Sequence, residues 1–163
     1  MATIVTTRFN KTTWEENKEY RERHDCVCIY PVPKKVCEDL DDNAVLFVIE
    51  MNNTTNKIEG IGLIRNKIEN VRHNVYRDNN FNCFCYVGKY RVERECMDTI
   101  FLENIETLLF KGKSHYKRGI GLTALTDKMK RKTEMDFYKE IKQMFMEKYK
   151  KEELYKEGNI NEQ

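Results

Sequence analysis

The run Ala44–Met51, AVLFVIEM, constrains this chain more than any other segment. It is too short for an ordinary helix and rich in β-branched and aromatic residues, so it reads as a strand. Asn52-Asn53-Thr54-Thr55-Asn56 follows as a polar turn, and Lys57–Asn66 as the hairpin partner. Any fold must be assembled around that ribbon.

The neighbouring segments supply mixed elements. Ala2–Thr7 reads as a short strand. Thr12 and Thr13, each three residues before Glu15 and Glu16, form overlapping capping-box patterns for a helix to about His24. Cys26–Tyr30 is a short strand closed by Pro31 and Pro33, and Pro33 suits the first turn of a short helix to Leu40. Strands are expected at Val71–Arg77 and at Phe81–Val92, the latter interrupted at Gly88. Asp98–Phe110 has helical period, with Phe101, Ile105, Leu108 and Leu109 on one face and Gly112 just beyond. Gly119–Leu125 reads as a last strand. Thr133–Glu157 reads as a long amphipathic helix with Phe137, Ile141, Met144 and Phe145 inward and Gly158 at its stop.

Strands and helices do not alternate regularly, which argues against a doubly wound parallel sheet. The expectation is an α+β domain: a small, mostly antiparallel, barrel-like sheet with flanking helices and a long C-terminal amphipathic helix. Residues 1–132 form that domain in this reading. Residues 133–158 pack on it or on a partner, and 159–163 fray.

The 163 residues suit one domain. The longest apolar run, Ala44–Ile49, is far too short for a bilayer, and Met1–Thr6 lacks the features of a signal peptide. The expectation is a protein with no membrane association, in the cytoplasm or nucleus or associated with a virion. Six cysteines are then expected as reduced thiols. Cys26/Cys28 and Cys83/Cys85 are C-x-C pairs with Cys37 and Cys96 left over. Zinc prefers C-x₂₋₄-C on a turn, and His24, His73 and His115 are scattered, so no metal and no cofactor are expected. Phe81, Cys83, Cys85 and Val87 instead alternate as a core-facing stripe.

Two nucleotide-like motifs fail. Gly112-Lys113-Ser114 matches the end of a P-loop, but position 107 is Thr and a helix precedes it. Gly119–Ala124 satisfies G-x-G-x-x-A without the buried strand that should lead into it. Gly-Ile-Gly-Leu occurs twice, at Gly60–Leu63 and Gly119–Leu122. Each leaves a bare patch, read either as a bend where other groups pack close or as a floor for a ligand ring.

Charge is segregated. Lys111–Lys132 holds eight cations and a single acid, Asp127, a net +7 that leaves −5 for the rest of a chain whose total is +2. Within it, Lys111, Lys113, Lys117 and Arg118 are candidates for phosphate contact, with His115 and Tyr116 able to stack on a base. Gly112 and Gly119 bracket the loop. Asn82, Phe84 and Tyr86, followed by Lys89, Arg91 and Arg94, offer a second aromatic surface. An ordinary solvated basic face is the competing reading.

Tyr-Pro-x-Pro, AVLFVIEM, EGIGLIRN, an aromatic strand, a helix and a basic Gly loop resemble in layout the PUA-like superfamily, which includes ASCH, EVE and YTH domains. The likeness spans residues 24–125. The wording of 44–66 and 110–122 is also similar to uncharacterised proteins of large DNA viruses. The resemblance implies a small β-barrel that binds RNA or single-stranded DNA, or a modified base. It also implies an alternative, a hydrolase acting on a modified nucleoside or nucleotide, with Lys113 or Lys117 beside Glu50 or Glu59. A structural, virion or adaptor protein docking through its tail helix is the remaining alternative.

Overall fold

The computed structural model describes residues 2–37 and 39–149. Its chain order is β1 (Thr3–Phe9), α1 (Lys11–Arg23), β2 (Cys28–Val32), β3 (Val45–Asn52), β4 (Lys57–Arg65), β5 (Phe84–Gly88), β6 (Tyr90–Glu93), α2 (Thr99–Phe110), β7 (Thr123–Ala124), α3 (Asp127–Lys130) and α4 (Phe137–Lys148). The fold is α+β. Five strands form a mixed sheet in the order β6-β4-β3-β1-β7, and β2 and β5 form a separate antiparallel pair.

The 44–66 hairpin is central. β3 pairs antiparallel with β4 and lies parallel to β1. Phe47, Ile49 and Met51 face a core shared with α2, α3 and α4. Leu46 and Val48 face the opposite core, shared with β2, β5 and the flank of α1. Burial on both faces explains the unbroken apolar run. In β4 the apolar residues Ile58, Ile61 and Leu63 break strict alternation. A register shift at Glu50/Met51 absorbs the extra residue, so all three reach the helical side.

The sheet is not closed into a barrel. Among the described residues β2 and β5 pair only with each other and 71–77 is irregular, so no strand joins the two sheets into a closed one. Around Tyr76 the backbone is satisfied by side chains. Its N–H donates to Asn82 Oδ1 (3.1 Å), its carbonyl accepts from Asn82 Nδ2 (2.7 Å), and Arg77 N–H donates to Glu16 Oε2 (2.7 Å).

Other expectations shift for similar local reasons. Among the described residues of 33–40 no helix forms; the Val36 amide donates to the Tyr86 hydroxyl (3.1 Å), and β2 runs through Pro31 to Val32. The segment 81–92 is two strands in two different sheets. The last strand shrinks to Thr123–Ala124. α1 is capped by Asn10, whose side chain and backbone exchange hydrogen bonds with Thr13, rather than by Thr12 or Thr13. Asn17, fully buried, ties α1 to Ile29 O (2.8 Å) and the Tyr76 hydroxyl (3.1 Å).

α2 begins at the Asp98 cap and buries Phe101, Ile105, Leu108 and Leu109, and Gly112 beyond it has φ +79°. α4 starts at an Asp136 cap, later than Thr133, and Tyr149 is extended, so the helix is shorter than expected. Phe137, Ile141, Met144 and Phe145 pack into the core of this same domain. The remainder of the tail, with Gly158 and 159–163, lies outside the described residues. Among the described residues no helix is long and apolar enough to cross a membrane.

Candidate nucleic-acid interface

The loop after α2 is held in place by its own backbone and by Arg8. Lys111 N–H bonds Thr107 O (3.3 Å) and Tyr116 N–H bonds Leu109 O (2.8 Å), which folds the loop back on the helix end. Arg8, on β1, donates to Tyr116 O (3.3 Å), to Thr123 Oγ1 (2.9 Å) and to Gly121 O. Asn53, in the β3–β4 turn, donates to Lys117 O (2.9 Å).

These anchors divide the six candidates. Lys111 and Lys113 are exposed and line a cavity of about 560 Å³ beside the end of α2, together with Lys132, Ser114 and Thr133. Lys111 also lines an adjoining cavity of about 430 Å³ that holds Lys57. Glu103 belongs to both walls. Lys117, half-buried, and Arg118, exposed, lie outside both, toward Asn53 and Gly119.

The rings are less free than the cations. Tyr116 packs against the helical core, and its hydroxyl accepts from Thr126 N–H (3.1 Å). His115 is half-buried, with Nδ1 accepting from Lys117 N–H (3.2 Å). The second aromatic surface does not form: Tyr86 is buried, Asn82 is buried, and only Phe84 is half-exposed, beneath Lys35 at 5.6 Å.

Ion pairs form away from the loop: Arg23 with Glu19, Arg91 with Glu50, Arg94 with Glu106 and Lys148 with Glu93, all within 2.6–2.8 Å. Among the described residues Lys111, Lys113, Lys117, Arg118 and Lys132 make no ion pair; the segment's single pair is Lys130–Asp127 at 3.7 Å.

The acids considered for catalysis lie elsewhere. Glu50 is buried beneath the ribbon of β2 and β5, bonded to Arg91 Nε (2.9 Å) and to the Tyr30 hydroxyl (2.8 Å). Burial works to lower the Arg91 pKa, but the charge and hydrogen bonds of Glu50, joined by Tyr30 and Glu93, together raise it. Glu59 accepts from Asn52 Nδ2 (3.1 Å). Neither meets Lys113 or Lys117. No three His, Cys, Asp or Glu side chains among the described residues come together as a metal site.

The sequence pointed to the cationic loop but missed Lys57 and Arg8. Lys57 sits at the hairpin turn and Arg8 on a strand of ordinary composition, so their proximity to the loop exists only in the fold. No family model, no curated protein and no solved structure matches this chain.

Proposed function

We propose that this protein binds single-stranded nucleic acid, RNA or DNA, across the loop Lys111–Arg118 and the adjoining end of α2. The observation that carries the reading is the group Lys111, Lys113 and Lys132 around one cavity, with no ion pair among the described residues. Like charges held together in the folded state repel, and a polyphosphate relieves that repulsion while releasing its own counterions. In this reading Lys111 and Lys113 grip successive phosphates, Lys57 and Lys132 flank them, and Lys117 and Arg118 extend the contact. His115 and the exposed part of Tyr116 meet a base.

Replacing Lys111, Lys113, Lys117 and Arg118 together by Ala tests it. Affinity for a single-stranded oligonucleotide should fall. The slope of log K against log salt should become shallower by up to about 3, since each phosphate contact on a single strand contributes roughly 0.7. Replacing the exposed Lys11, Lys18, Lys35 and Lys139 together by Ala serves as the control for net charge. Equal affinity of the quadruple variant and the parent, at several salt concentrations, refutes the proposal.

A further inference from the structure

β7 covers β1 only at Val5 and Thr6, so beyond them that edge of β1 has no neighbouring strand among the described residues. A cavity of about 250 Å³ lies there, walled by Thr7–Asn10, Pro31–Pro33 and Gly119–Gly121. Phe9, Pro33, Tyr76 and Phe81 give it flat apolar surfaces, while Arg8, Asn10, Thr13 and Asn53 supply polar ones. It is a different place from the lysine-lined cavities beside α2.

Arg8 is the unusual member. Its hydrogen-bond partners are all neutral: Thr6 Oγ1 (2.9 Å), Thr6 O (3.4 Å), Thr123 Oγ1 (2.9 Å), Tyr116 O (3.3 Å) and Gly121 O. No carboxylate among the described residues pairs with it, and burial lowers its pKa to about 10. Removing a charge from water without a counter-charge is costly, so most such groups are paired. Among the described residues Arg8 Nε is a buried N–H donor that lacks any hydrogen-bond partner. The first turn of α1, capped by Asn10, adds the positive end of a helix dipole.

We propose that this cavity is a binding site for a small oxyanion, a carboxylate or a phosphate, carried on a single flat ring. The oxyanion supplies the counter-charge that Arg8 lacks, and the ring lies among Phe9, Pro33, Tyr76 and Phe81. The volume falls below the roughly 300–1,000 Å³ of drug-sized sites, which limits the ligand to about one ring and its charged group. Arg8 Nε is covered by its surroundings, so the oxyanion acts on Arg8 through its charge across the cavity wall rather than through that nitrogen. The inference does not rest on nucleic-acid binding, since it uses none of the loop's cations.

Calorimetric titration of the full chain with phenyl phosphate and with benzoate tests it, with benzamide as the uncharged match to benzoate. At least one anion should bind, and the tighter of the two identifies the headgroup. Benzamide should be at least about tenfold weaker than benzoate if the carboxylate is the preferred headgroup, and Arg8→Gln should weaken the preferred anion by a similar factor. Phe81 is 42% exposed, so Phe81→Ala leaves the fold intact; it should weaken the ring-bearing anion and leave inorganic phosphate unchanged. If Arg8→Gln fails to fold, the Phe81→Ala comparison decides alone. Binding by neither anion, or no effect of Phe81→Ala on the anion that binds, overturns the assignment. It would make Arg8 only a clamp on the loop.

Discussion

Gly60 and Gly62 show what a bare patch in a sheet is for in this protein. A Cβ at Gly62 would run into the Tyr30 ring, and one at Gly60 would meet Arg91 and Glu50. The space is filled by polar groups: Arg91 reaches Glu50 Oε1 at 2.6 Å, and Tyr30 donates to the other oxygen. The sequence exposed the missing bulk but could not identify its occupants, because Tyr30 and Arg91 come from distant strands. Glu50→Gln should destabilise the fold by about 3–5 kcal/mol, since it leaves the Arg91 charge buried without its partner. Replacing Glu50 and Arg91 together by apolar residues should cost less. Urea unfolding of the three proteins measures both, and a Glu50→Gln variant as stable as the parent contradicts the argument.

At the level of elements, α2 and the hairpin β3–β4 were legible because each carries its own signal. Asp98 caps, the apolar stripe follows at helical spacing, and the 52–56 turn joins two apolar strands. The segment 81–92 was not, because one alternating pattern serves two sheets and the chain changes sheet near Gly88. A Cβ there would strike the Leu63 carbonyl. The C-x-C pairs divide by the same geometry: Cys28 and Cys85 are buried, whereas Cys26 is half-buried and Cys83 exposed, as are the unpaired Cys37 and Cys96. Burial pushes the Cys28 and Cys85 thiols up to about 12 from an ordinary value near 9. A native-state alkylating reagent at neutral pH should therefore label Cys37, Cys83 and Cys96 first, as peptide mass mapping would reveal, and reach Cys28 and Cys85 only on unfolding. Because the folded values lie above the unfolded ones, this contribution to stability is complete below about pH 9. It is lost progressively as pH rises toward 12, where the unfolded chain releases protons that the folded one keeps. A thermal midpoint that stays level from pH 8 to 11 contradicts this linkage.

For the whole molecule, the α+β class and the helical cover were readable from pattern, while the open sheet and the position of β1 were not. Nothing local to TIVTTRF says that it lies between β3 and β7. That placement joins Thr6 to Thr123 across 117 positions, and β7 is only two residues long. Thr123→Pro should remove this cover, lower stability and promote self-association through the uncovered edge, detectable by light scattering. An unchanged monomer would show that the loop alone shields β1. The distance between these partners also sets a kinetic problem. The central ribbon has its turn built in and can collapse early, but β1 stays half-paired until the far end of the chain arrives. Refolding should therefore lag behind collapse, and during that interval a naked row of amides and carbonyls needs a chaperone, or dilution, to keep it from its neighbours.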